Sequence, residues 1–161
     1  MTLVAKLLNP ADVVLDMQVS SKKRLFEQVG LLFENQHAIA RSVVFDSLFA
    51  RERLGSTGLG QGVAIPHGRI KGLKEALGAF IRVAQPVPFD APDANPVNLA
   101  FVLLVPEKAT EKHLQILSEL AQMFSDRALR EALAAAPDAQ ALYELIQSWQ
   151  PDAAGRRRAA A

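Results

Sequence analysis

His67 is the residue of this chain best placed to do chemistry. It stands between Pro66 and Gly68, at the end of the stretch 51–69, which reads Arg-Glu-Arg-Leu-Gly-Ser-Thr-Gly-Leu-Gly-Gln-Gly-Val-Ala-Ile-Pro-His-Gly-Arg. Four glycines, two hydroxyl residues (Ser56 and Thr57) and two arginines (Arg51 and Arg53) precede it. A histidine can be a nucleophile near neutral pH. Backbone N–H groups, hydroxyls and fixed positive charge are what a phosphoryl group needs around it. Pro66 restricts the chain on one side of the ring, and Gly68 lets other backbone come close on the other.

Other chemistries fit this stretch less well. Gly55 to Gly60 has the four-residue gap of a phosphate-binding P-loop, but Gln61-Gly62 stands where that motif requires Lys and Ser or Thr. The dinucleotide fingerprint fails because the glycines follow a helical pattern rather than a strand. No G-x-S-x-G elbow is present. The three histidines have no metal-ligand spacing and there is no cysteine, so neither a metal nor a cofactor is expected. The plain alternative is that the glycines only build turns before an edge strand.

The elements that must position His67 can be read from periodicity. A short strand is expected over 12–17. A helix should follow from Ser20 or Ser21, with Leu25, Val29, Leu32 and Phe33 at helical spacing. A second helix is expected over 40–53, with Phe45, Leu48 and Phe49 as its apolar stripe. Arg51 falls in its last turn, where the helix dipole favours a cation, and Gly55 is a natural stop. Residues 63–65 read as a strand running into Pro66. Residues 76–84 and 99–105 read as the best strands, the second so apolar that both its faces should be covered. Pro86, Pro88, Pro92 and Pro96 mark an irregular loop between them.

A long helix is expected after Thr110, with Leu114, Leu117, Ala121 and Phe124 on one face, and two more near 126–134 and 138–149. If Thr110 is the N-cap, His113 is the third helical residue. The positive end of the helix dipole there should keep its imidazole neutral, as a hydrogen-bond donor. The fold class expected from this order is α/β: a single domain over 1–150, with a mixed sheet flanked by helices on both faces. Residues 151–161, with Arg156-Arg157-Arg158 among alanines, read as a disordered tail.

Composition narrows the function classes. The chain has 161 residues, 50% of them hydrophobic, enough for one domain with a real core. A net charge of +1 argues against a dedicated nucleic-acid binder. No apolar run approaches the roughly 18 residues of a membrane span. The absence of cysteine suits an intracellular protein, and a cytoplasmic location is expected.

Taken together, the stretch 51–69, the strand 99–106 and His113 in Thr110-Glu111-Lys112-His113-Leu114 resemble the IIA domain of the bacterial phosphotransferase system. The match is to the fructose/mannitol class, and within it to the nitrogen-regulatory type (EIIA-Ntr). The resemblance runs over about 7–149 and is carried by Leu54-Gly55-Ser56-Thr57-Gly58-Leu59-Gly60 and Ile65-Pro66-His67-Gly68. It implies a mixed sheet sandwiched by helices. It also implies that His67 accepts a phosphoryl group from an HPr-like phosphocarrier, NPr in the regulatory system, with Nε2 as the nucleophile. Arg51 matches the family's active-site arginine, and His113 its second active-site histidine. Ser56, Thr57 and Gly68 are expected to help stabilise the phosphate. The regulatory branch implies output through partner proteins such as potassium transporters or sensor kinases. The alternative is a sugar-specific IIA component that passes the group to a IIB domain. The absence of a cysteine-bearing IIB segment after 149 favours regulation.

Overall fold

The computed structural model describes residues 2–108 and 111–151. In chain order the elements are α1 (Leu3–Leu7), β1 (Leu8–Met17), α2 (Lys22–His37), α3 (Arg41–Glu52), β2 (Gly58–Gly60), β3 (Val63–Ala64), β4 (His67–Ile70), β5 (Leu77–Val87), β6 (Val97–Pro106), α4 (Glu111–Phe124), α5 (Arg127–Ala135) and α6 (Ala139–Ser148). The six strands form one mixed sheet in the order β1-β5-β6-β3-β2, with β4 also paired to β6. This is the α/β sandwich expected from the sequence.

β6 explains the architecture. Every residue from Leu99 to Val105 is buried. Leu99, Phe101, Leu103 and Val105 enter one apolar cluster with α4, α5 and α6, whereas Ala100, Val102 and Leu104 enter another with α2 and α3. A strand covered on both faces has no solvent side, so its sequence need not alternate in polarity.

The helices start where local chemistry permits. The Ser21 side chain accepts from Arg24 N–H, Asp126 from Leu129 N–H and Asp138 from Ala141 N–H, each satisfying a first-turn donor. α3 has no such cap of its own at Ala40. Instead the Glu34 carboxylate, at the end of α2, accepts from Arg41 N–H (2.9 Å) and pairs with the Arg41 guanidinium (2.8 Å).

Several elements differ from the sequence expectation. β1 begins at Leu8 rather than residue 12, and a register break between Leu8 and Val13 accommodates Pro10. β5 runs on through Pro86 to Val87. Its pairing with β1 ends at Val83, and its register with β6 is broken between Arg82 and Val87, so Pro86 removes no ladder bond from a central position. α1, β2 and β4 were not foreseen. The buried face of α4 is Ile116, Leu120, Met123 and Phe124. Leu114 (62% exposed) and Ala121 instead face solvent, because the helix carries apolar residues at two overlapping helical spacings and packing selects one. Thr110 and nearly all of the expected tail (152–161) lie outside the described residues.

Candidate functional site

β3 and β4 both run parallel to β6 in one continuous register, Val63 opposite Leu99 and His67 opposite Leu103. Pro66 has no N–H, and it interrupts what would otherwise be a single strand. Its carbonyl still accepts from Leu103 N–H at 2.9 Å, so the chain does not leave the sheet. His67 is therefore the first residue of β4. Strand alternation places Gly68 and Ile70 toward α2 and α3, and His67 and Arg69 on the opposite side.

The His67 ring is half-buried, and its Nδ1 lies 2.8 Å from the Ile65 carbonyl oxygen. A carbonyl can only accept, so Nδ1 carries the hydrogen and the Nε2 lone pair is left available. The pKa of His67 is lowered from the ordinary 6.5. Burial is the largest cause, and Arg51 and His113 act in the same direction, while the bond to Ile65 and the charge of Glu52 oppose it. The ring is thus neutral at pH 7. We expect the His67 imidazole to titrate below 6.5 in a 15N–1H NMR titration. Any reaction that uses the Nε2 lone pair should run at a flat rate from pH 8 to about 6.5, and then slow as the ring charges. Stability has the same sign: the folded state resists protonation, so stability is full above 6.5 and declines as the pH drops toward the folded value. A His67 midpoint above 6.5 would contradict this account.

An open pocket of about 510 Å³ surrounds the ring, lined by Ser47, Ala50, Arg51, Leu54, His67, Gly68, Arg69, Val105 and His113. Arg51 comes from the last turn of α3. Its Nη1 donates to the Gly55 carbonyl at 2.8 Å, which anchors one arm of the guanidinium fork and leaves the other arm to bind an anion. His113 is the third residue of α4, as the sequence suggested. The structure therefore brings His67, Arg51, His113 and Gly68 into one cavity. Among the described residues, no group of three or more His, Asp or Glu side chains could hold a metal ion.

Ser56 and Thr57 are placed differently from the expectation, and neither lines the pocket. The Ser56 hydroxyl donates to the Phe89 carbonyl and accepts from Gly58 N–H at 3.0 Å. Thr57 is buried, and its N–H and hydroxyl donate to the two Glu52 oxygens at 3.0 and 2.7 Å. Both hydroxyls hold the loop rather than face an incoming group. Gly68 also has a packing role, because a Cβ there would stand 2.1 Å from Ser47 Oγ and 3.1 Å from the Ser47 backbone carbon. Gly68→Ala should therefore push α3 off β4 and cost about 1–3 kcal/mol of stability, as overpacking does, measurable by chemical denaturation. An unchanged midpoint would show that Ser47 and α3 yield freely.

Sequence reasoning missed Ser47, Arg69 and Glu52. Arg69 had a usable signal, since it lies two residues beyond His67 and on the same side of a strand. Ser47 had none, because only packing of α3 over β4 brings it to the pocket.

Comparison with known proteins supplies the family. Residues 6–149 match the model for the EIIA 2 domain of the phosphoenolpyruvate-dependent sugar phosphotransferase system. The chain belongs to that family. It is 42% identical over 142 residues to a nitrogen regulatory protein of Pseudomonas aeruginosa, an alignment covering 88% of this chain and 92% of the relative. Among solved structures, the nitrogen regulatory protein IIA-Ntr of Neisseria meningitidis is 54% identical with a TM-score of 0.85, covering 90% of this chain and 99% of that one. The mannitol IIA enzyme of Escherichia coli, solved in complex with its phosphorylated IIB partner, shares the fold (TM-score 0.74, 88% and 97% covered) at only 19% identity. The resemblance to the nitrogen-regulatory type thus holds at the level of both sequence and fold. No helix among the described residues is long and apolar enough to cross a membrane.

Proposed function

We propose that this protein is a phosphohistidine carrier of a nitrogen-regulatory phosphotransferase system. It takes a phosphoryl group from an HPr-like carrier (NPr) onto His67 and regulates partner proteins in the cytoplasm through its phosphorylation state. One observation supports this most directly: a neutral imidazole, its Nδ1–H fixed on Ile65, opens its Nε2 into a pocket that also holds Arg51 and His113.

In the step, Nε2 of His67 attacks the phosphorus of the donor's phosphohistidine. The new N–P bond forms as the donor N–P bond breaks, and the electron pair of that bond returns to the donor ring. The proton stays on Nδ1 throughout, donated to the Ile65 carbonyl. The transferring group spreads negative charge over its equatorial oxygens, so positioning and charge stabilisation dominate catalysis. Arg51 supplies the cation and His113 a hydrogen bond. The pocket rim, with Leu54 84% exposed, changes character when a group of about −1.5 to −2 charges is added beside it. A target that docks on the unmodified rim is released by that charge.

The test is incubation of the full chain with a histidine-phosphorylated HPr-like carrier. An acid-labile phosphohistidine on this protein is the expected result. No label transfer would overturn the reading. Onward transfer to a fructose-type IIB domain would move the assignment to the sugar-transport branch. Target identity then follows from capture experiments comparing the two phosphorylation states, where potassium transporters and sensor kinases are the expected classes.

A further inference from the structure

Glu52 is an unusual carboxylate for this site. It directly follows Arg51, yet its side chain is only 3% exposed and turns in beneath the end of α3. A buried carboxylate is costly unless its oxygens are satisfied. Here Oε1 accepts from Thr57 N–H (3.0 Å) and pairs with Lys22 Nζ (2.9 Å), and Oε2 accepts from the Thr57 hydroxyl (2.7 Å). Lys22 also donates to the Phe89 carbonyl (3.2 Å), the same oxygen that Ser56 uses. The arrangement closes the segment 52–57 into a clasp. Gly55 lies inside it, with its N–H bonded to the Glu52 carbonyl (3.1 Å) and its φ at +152°, where a side chain would be strained. The Gly55 carbonyl is the oxygen that holds Arg51 Nη1.

We infer that Glu52 and Thr57 are positioning residues for phosphoryl transfer: their buried clasp fixes the Gly55 carbonyl, and through it aims the Arg51 guanidinium at the group on His67. This rests on the reading of His67 as the acceptor. The clasp also touches the nucleophile's side of the site, since the Thr57 carbonyl accepts from Ile65 N–H (3.0 Å) and the Ile65 carbonyl holds His67 Nδ1. That second link is made by backbone atoms alone and survives removal of the Thr57 hydroxyl. The hydroxyl therefore acts on Arg51, and the two paths can be separated by mutation. A charge aimed in advance is worth more than one that must reorient in the transition state.

The experiment is a double-mutant cycle on the full chain, read as single-turnover transfer from a histidine-phosphorylated HPr-like carrier. Thr57→Val keeps shape and the backbone N–H bond but loses the hydroxyl. It should lower the maximal rate about tenfold with less than about a twofold change in the donor concentration for half-saturation, because the Thr57 and Glu52 side chains are buried and neither faces the donor. Thr57→Ser should restore the rate to within about threefold of the native protein. In the Arg51→Ala background the same Thr57→Val change should cost less than about twofold, because there is no longer a guanidinium to aim. Equal losses in both backgrounds, a weakened half-saturation with unchanged maximal rate, or a Ser variant as slow as Val would each overturn the inference. If Thr57→Val does not fold, Glu52→Gln enters the same cycle with the same criteria. Failure of the underlying site assignment would look different, since His67→Ala would then still accept the group.

Discussion

His67→Ala should accept no phosphoryl group at all. The alanine removes the imidazole whose Nε2 is left available because Nδ1 is tied to Ile65. No neighbouring group replaces it. Ser47, the one hydroxyl lining the pocket among the described residues, donates its hydrogen to the Arg69 carbonyl at 2.9 Å, and an un-ionised hydroxyl is a poor nucleophile without a base to activate it. His113 sits in the same pocket but at the start of α4, which belongs to the opposite helical layer. The fold should survive the change, because the ring is half-buried at one end of an edge strand and contributes no residue to either apolar cluster. The decisive measurement is transfer of labelled phosphate from the phosphorylated carrier, with unfolding recorded alongside. A variant that is folded and still labels at a significant fraction of the native rate would move the acceptor elsewhere, with His113 the first residue to examine.

Arg51→Ala should produce the next largest loss, a fall of roughly 10²–10³ in transfer rate, the cost typical of removing one pre-aimed donor from a developing oxyanion. A cation about 4 Å from a unit negative charge is worth roughly 4 kcal/mol where the effective dielectric is near 20. A neutral hydrogen bond contributes about 1 kcal/mol net. Arg51→Ala should therefore exceed Ser56→Ala by a wide margin, the more so because the Ser56 hydroxyl is bound to the Phe89 carbonyl rather than aimed at the pocket. Arg51→Lys should fall between them. An ammonium brings the charge, but it cannot anchor one arm on the Gly55 carbonyl while a planar second arm faces the phosphate. Equal losses for Arg51→Ala and Ser56→Ala in single-turnover kinetics would refute the electrostatic ranking. Recovery of full activity by lysine would show that charge alone suffices.

The chemistry of the site was easier to read from the chain than the parts that support it. Histidine between Pro66 and Gly68, and arginine at a helix end, are local facts, so His67 and Arg51 stood out before any fold was known. β6 was equally plain, because a strand covered on both faces leaves a long apolar run. β2 and β4 span three and four residues. Strands so short carry no usable periodicity, and their existence is decided by pairing, β2 with β3 and β4 with β6, which local sequence does not encode. The placement of Ser56 and Thr57 was hidden for a related reason. Their hydroxyls suit a phosphate, but the partner that claims Thr57 is Glu52, a carboxylate whose burial is set by Lys22 from a distant helix. Half of the expected α4 face, Leu117 and Phe124, packs inward and half does not, because two overlapping apolar spacings were present and only the sheet beneath could choose between them.

The division of the interior into two separate apolar clusters has a consequence for inheritance. Arg51 rides on the layer that includes α2 and α3, His113 on the layer of α4, α5 and α6, and His67 on the sheet between them. Each layer buries its own residues and can drift by its own compensating changes. Reactivity, by contrast, depends on the mutual alignment of the two. A hybrid that joins one relative's front helices to another's back helices can thus be well folded and still inert, its two halves sound but out of true.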